Sequence, residues 1–156
     1  MKMLKYVDTK IVFREIPDEI TLAINISNCP CHCKGCHSPY LAQDMGEPLD
    51  LQHLTNLINT NKGITCVCIM GGDSDYVEVN NIAQDIKNYY PELKVGWYSG
   101  AQELNKDIDI DNFDYIKLGP YMKDKGALDN VNTNQRFYKV VNDELIDITS
   151  VFWKNR

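Results

Sequence analysis

The chain has 156 residues, 44% hydrophobic and 24% charged, which is enough for one domain with a real core and too little for two ordinary ones. That balance excludes a disordered chain, and a net charge of −6 argues against nonspecific nucleic-acid binding, which depends on Lys and Arg meeting phosphates. The apolar runs fall short of the ~20 residues of a membrane span, and Met1 to Lys5 lacks the apolar stretch of a secretory signal, so a cytoplasmic protein with no membrane partner is expected.

The predicted elements begin with Ile20 to Ile26 (ITLAINI), a β-branched apolar strand that runs straight into a cysteine cluster. Asp50 predicts the cap of a helix whose face is Leu51, Leu54, Leu57 and Ile58, with Gly63 as its stop. Ile64 to Met70 (ITCVCIM) is an unbroken apolar run, as expected of a strand buried on both faces, and Gly71-Gly72-Asp73 follows as a turn. Val79, Ile82, Ala83, Ile86 and Tyr89 mark one face of a second helix, ended before Pro91. Leu93 to Tyr98 predicts a strand closed by Ser99-Gly100, residues 101–106 a short helix, and Tyr115 to Leu118 a strand closed by Gly119-Pro120. Lys123 to Asn134 reads as a loop, and Phe137 to Val141 with Leu145 to Ile148 as a terminal hairpin around Asn142-Asp143.

Strand and helix alternate, which implies parallel strands joined by right-handed crossovers. Ligands in such sheets sit at the carboxyl ends of the strands. Here those ends carry a cysteine cluster, Gly-Gly-Asp, Tyr-Ser-Gly and Leu-Gly-Pro, all expected on one edge. The expected architecture is a single α/β domain.

Four of the six cysteines, at 29, 31, 33 and 36, lie within eight residues; the other two are Cys66 and Cys68. In a chain without export signals a tight cysteine group points to metal or redox chemistry. Cys29, Cys33 and Cys36 form C-x-x-x-C-x-x-C, which suits three corners of a 4Fe–4S cubane with one iron left open. A zinc site using the same cysteines with His32 or His37, and thiol redox chemistry, remain alternatives. Zinc sites usually draw ligand pairs from separate elements, and no second pair is evident. Cys66 and Cys68 share one face of a predicted strand and suit buried packing.

The cysteine motif after a first strand, with a glycine pair after the second, resembles the radical S-adenosylmethionine enzymes. More narrowly, Cys29 to His37 with Ser38-Pro39, Gly71-Gly72-Asp73, Trp97-Tyr98-Ser99-Gly100, Gly119-Pro120-Tyr121 and Asn134-Gln135-Arg136 resemble segments of the activating components of anaerobic (class III) ribonucleoside-triphosphate reductases. The likeness runs from about Thr21 to Tyr138. Departures are the extra Cys31, Asp73 where Glu is commoner, and Lys117-Leu118 where some relatives carry Asp.

The resemblance implies an incomplete parallel (β/α) barrel, a cluster held by Cys29, Cys33 and Cys36, and S-adenosylmethionine chelated to its open iron. It places Gly71 and Gly72 against the methionine part of the cofactor and Asp73 on its ammonium. Ser99 is given the cofactor's polar edge, with helix capping as its structural alternative. An electron from a flavodoxin- or ferredoxin-like donor would cleave the cofactor to methionine and a 5′-deoxyadenosyl radical, which takes hydrogen from a glycine of the partner reductase. Activation of another glycyl-radical enzyme, such as pyruvate formate-lyase, and a non-catalytic zinc-binding adaptor are the alternative functions. Asn134, Gln135 and Arg136 are candidates for cofactor or partner contact, or surface polar residues. Phe152 and Trp153 either pack on the sheet or form a docking patch, and His53 is expected to be exposed.

Overall fold

The computed structural model describes residues 4–27 and 46–153. Within them the chain runs β1 (Lys5–Val12), β2 (Thr21–Ile26), β3 (Glu47–Pro48), α1 (Leu51–Thr60), β4 (Cys66–Met70), α2 (Tyr76–Tyr89), β5 (Lys94–Tyr98), β6 (Tyr115–Leu118), β7 (Arg136–Val141) and β8 (Glu144–Asp147). Short 3₁₀ turns lie at Ile110–Asn112 and Thr149–Trp153. All eight strands join one sheet in the order β3-β1-β2-β4-β5-β6-β7-β8. The centre, β2-β4-β5-β6, is parallel as the alternation predicted. Antiparallel strands flank it on both sides: β1 and β3 on one, β7 and β8 on the other.

The period-2 alternation of the central strands feeds two cores. Leu22, Ile24 and Ile26 of β2, with Val67 and Ile69 of β4 and Trp97 of β5, share one core with the buried faces of α1 and α2. Cys66 and Cys68 face the other way, into a second cluster with Ile16, Tyr115, Leu128 and Phe137. Ile16 arrives on the β1–β2 connection and is fully buried. A Cβ at Gly96 would stand 2.8 Å from Ile16 Cδ1, so the bare backbone of β5 makes room for it. In the same cluster, Phe152 meets Phe137 edge-on at 5.1 Å, and Trp153 Nε1 donates to Leu128 O at 2.9 Å. The terminal aromatic pair therefore packs on the fold.

Local chemistry sets the helix ends. Asp50 accepts from the His53 N–H at 2.8 Å and Asp75 from the Glu78 N–H at 3.1 Å, each satisfying a donor left open by the first turn. In α2 the expected face is buried at Val79, Ile82, Ala83 and Ile86, but Tyr89 is 60% exposed. The adjacent Tyr90 takes the place against the core, and its hydroxyl donates to Asn59. Residues 101–106 form no helix. Asn105 Oδ1 accepts from the Asp107 N–H at 2.8 Å, a side-chain turn that competes with helical bonding. Asn142 and Asp143, at φ 49° and 66°, make the β7–β8 turn with both central residues left-handed, as a two-residue hairpin requires. No helix among the described residues is long and apolar enough to cross a membrane.

A candidate cofactor site at the carboxyl edge of the sheet

Because β2, β4, β5 and β6 are parallel, their exits share one edge, and Ser27, Gly71, Ser99 and Gly119 follow the four strands there. Cys29, Cys33 and Cys36, with Cys31, His32 and His37, lie outside the described residues. The chain leaves β2 towards them at Ser27, whose N–H donates to Lys5 O at 3.0 Å.

After β4 the backbone turns through two left-handed glycines, Gly71 at φ 111° and Gly72 at φ 93°. The two differ in what surrounds them. A Cβ on Gly71 would meet Ile26 at an ordinary 3.5 Å, whereas one on Gly72 would lie 2.5 Å from Val79 Cγ2 and 3.3 Å from Leu4 Cδ1. Gly72 is thus required by the packing of α2 on the sheet. Gly71 is tied into the sheet by its own backbone: its N–H donates to Tyr98 O at 2.9 Å and its carbonyl accepts from Trp97 Nε1 at 2.7 Å.

Asp73 and Ser99, each expected to contact the cofactor, are joined to each other. Ser99 Oγ donates to Asp73 Oδ1 at 2.5 Å, and the Gly100 N–H donates to Asp73 Oδ2 at 2.9 Å. The same hydroxyl accepts from the Ala101 N–H at 3.0 Å. Asp73 is 9% and Ser99 1% exposed. The pair is a clasp between the exits of β4 and β5, and no helix follows Ser99 for it to cap.

Lys117 is a site residue the sequence reading missed in this role. It is buried at 7% exposure, and its Nζ donates to Ser99 O at 3.1 Å and Gly119 O at 2.7 Å. It ties the exits of β5 and β6 and stands 5.7 Å from the centre of the Tyr98 ring. The available signal was a lysine inside a four-residue apolar strand, one that carries a charge into the core only if its ammonium is hydrogen-bonded.

Asn134, Gln135 and Arg136 divide. Asn134 Nδ2 donates to Pro120 O at 3.0 Å, and Gln135 Nε2 reaches Gly119 O at 3.5 Å. A Cβ on Gly119, at φ 111°, would stand 3.0 Å from Gln135 Cα, so the glycine admits this segment against the exit of β6. Arg136 turns away, donating to Thr133 O and pairing with Asp147 of β8 at 3.6 Å.

His53 is half-buried and ion-paired, not exposed as expected. Its Nδ1 meets Asp50 Oδ1 at 2.6 Å and its Nε2 meets Glu47 Oε2 at 3.4 Å. The hydrogen bond to Asp50 raises its pKa.

Burial pushes the Cys66 thiol up to about 12 and raises Cys68 as well. Both stay protonated at neutral pH, the opposite of a metal-ligating or nucleophilic cysteine. No group of three or more metal-ligating side chains is formed among the described residues. In the native apoprotein at pH 7.5, Cys66 and Cys68 are therefore expected to resist iodoacetamide until denaturant is added, with peptide mass mapping as the readout. Fast native alkylation of either would contradict their burial.

Residues 20–144 match the model of the 4Fe-4S single cluster domain family, and the chain belongs to that family. The match spans the parallel strands, the cysteine segment and the glycine-framed edge. No curated protein and no solved structure matches the chain.

Proposed function

We propose that this iron–sulfur protein is a radical S-adenosylmethionine enzyme, the activating component of an anaerobic ribonucleoside-triphosphate reductase, and that its sheet is the incomplete (β/α) barrel of that class. The observation that carries the reading is the shared edge. The cysteine segment, which lies within the family match, follows β2 at the edge where three glycine-bearing turns leave β4, β5 and β6. In this reading Cys29, Cys33 and Cys36 hold the cluster, and Gly71 and Asp73 form the wall for the amino-acid end of the cofactor. Ser99 and Lys117 keep that wall in place through the clasp and the bridge to Gly119.

The bound cluster and cofactor supply a one-electron cleavage of the sulfonium carbon–sulfur bond, with an electron from a flavodoxin- or ferredoxin-like donor, and a hydrogen atom is taken from a glycine of the partner. The chain itself orients the cofactor and limits water. Its polar groups at the edge are held by one another, so little reorganisation is needed when charge changes nearby.

The test is anaerobic purification and reconstitution, followed by incubation with reductant, S-adenosylmethionine and either candidate partner. Iron and sulfide, not zinc, are expected in the protein. An electron paramagnetic resonance doublet of a glycyl radical is expected on the ribonucleotide reductase. A doublet only on pyruvate formate-lyase transfers the assignment to that partner; zinc in place of iron overturns the enzyme reading.

A further inference from the structure

The sheet face turned away from the helices is filled in its lower part and polar at its upper margin. Strand pairing aligns Asp8, Asn25, Met70, Tyr98 and Lys117 in one row, the last before the carboxyl edge. Asn25 belongs to this face because Leu22, Ile24 and Ile26 of the same strand enter the helix-side core. In the rows beneath, Cys66, Cys68 and Tyr115 are buried under Ile16. In the upper row Asp8, Asn25, Met70 and Tyr98 are only half-buried.

Asn25 has a particular arrangement. Its Nδ2 donates to Asp8 Oδ1 at 2.6 Å. A carboxylate only accepts, so that contact settles which end of the amide is nitrogen and stops the group from turning. The other end, Oδ1, accepts from no group among the described residues, and Asn25 is half-buried. The β1–β2 ladder already joins the two strands, so the side-chain pair is not needed for that purpose. What it produces is an uncharged acceptor of set orientation, strengthened by the carboxylate behind it.

A protein that acts on glycine has no side chain to recognise and must hold the backbone on either side. We infer that Asn25 is a substrate-binding residue whose Oδ1 takes one backbone N–H of the glycine-bearing segment, with Asp8 as its positioning residue. This rests on the function proposed above. The half-buried part of the row, from Asp8 to Tyr98, crosses four strands, about 14 Å, which an extended segment of about four to five residues would span. Its β4–β5 part adjoins Gly71 and Ser99, where the cofactor is placed, and its β1–β2 part is left for the polypeptide.

The experiment uses the anaerobically reconstituted protein and a labelled heptapeptide centred on the partner's radical glycine, with a set of peptides each N-methylated at one backbone nitrogen. Wild type is expected to lose about fivefold in affinity for one methylated position, the worth of a single hydrogen bond. Asn25→Ala is expected to bind the parent peptide about fivefold more weakly and to be indifferent to methylation at that position, with iron content and S-adenosylmethionine affinity unchanged. If Asn25→Ala loses its iron, Asn25→Thr, which suits a strand, takes its place in the cycle. Full methylation penalties in the variant overturn the inference, as does a loss of cofactor affinity with peptide binding intact. Methionine release by wild type is measured separately. Its absence removes the proposed function, whereas release with no Asn25-dependent peptide binding removes this inference alone.

Discussion

Replacing any one of Cys29, Cys33 or Cys36 with Ala is expected to abolish both the reconstituted cluster and cleavage of S-adenosylmethionine. Three thiolates leave one iron of a cubane open, and two leave the cluster without a stable seat. In the function proposed above, cofactor binding to the open iron would fail with it, so the loss would be of activity as a whole and not of a fraction. Cys31→Ala is expected to keep most of the iron, because the C-x-x-x-C-x-x-C spacing is intact without it. Iron and sulfide analysis with the visible spectrum reads each variant. A cluster retained in Cys33→Ala but lost in Cys31→Ala would reassign the ligands.

Gly72→Ala is expected to lower the stability of the whole fold. The left-handed backbone at φ 93° costs a side chain about 1–2 kcal/mol. The added carbon, 2.5 Å from Val79 Cγ2, forces α2 or Leu4 to move, for on the order of 1–3 kcal/mol more. Gly71→Ala carries the backbone cost without the collision, since its nearest neighbour is at 3.5 Å. Urea unfolding of the two apoproteins separates them: a clearly lower midpoint is expected for Gly72→Ala than for Gly71→Ala. Equal midpoints would mean that the contact with Val79 relaxes freely. The comparison also decides which glycine serves as a probe of the cofactor. Only Gly71→Ala leaves the packing intact enough for a change in S-adenosylmethionine affinity to be read as local.

The parallel centre was legible because its strands are buried on both faces. ITLAINI is mostly β-branched and apolar and ITCVCIM is an unbroken apolar run, and few other elements produce such runs between helical patterns. The edges were not. Residues 5–12 (KYVDTKIV) form the longest strand of the sheet, yet they are mostly half-exposed and carry three charges, and β3 has only two residues. The terminal hairpin was legible through Asn142-Asp143, whose residue types tolerate positive φ.

At the candidate site, glycines and acids were visible as types, but their relations were not. The Asp73–Ser99 clasp joins residues 26 positions apart, and it exists only because β4 and β5 are neighbours. Lys117 reaches Ser99 and Gly119 through the same adjacency, one strand further on. Asp8 and Asn25 meet across an antiparallel pair whose first strand lacked a sequence signal.

Ile16 beneath the row of Asn25 has a kinetic meaning. With its side chain seated on Gly96 and the aromatic cluster beside it, Ile16 covers the sheet face below the upper margin among the described residues. For the activase proposed above, with its cofactor at that margin, small molecules and the partner would share the same approach. Methionine and 5′-deoxyadenosine would then leave after the activated partner steps away, and a fresh cofactor would enter before the next one docks. Each encounter would yield one radical, and turnover would follow the rate at which the two proteins separate.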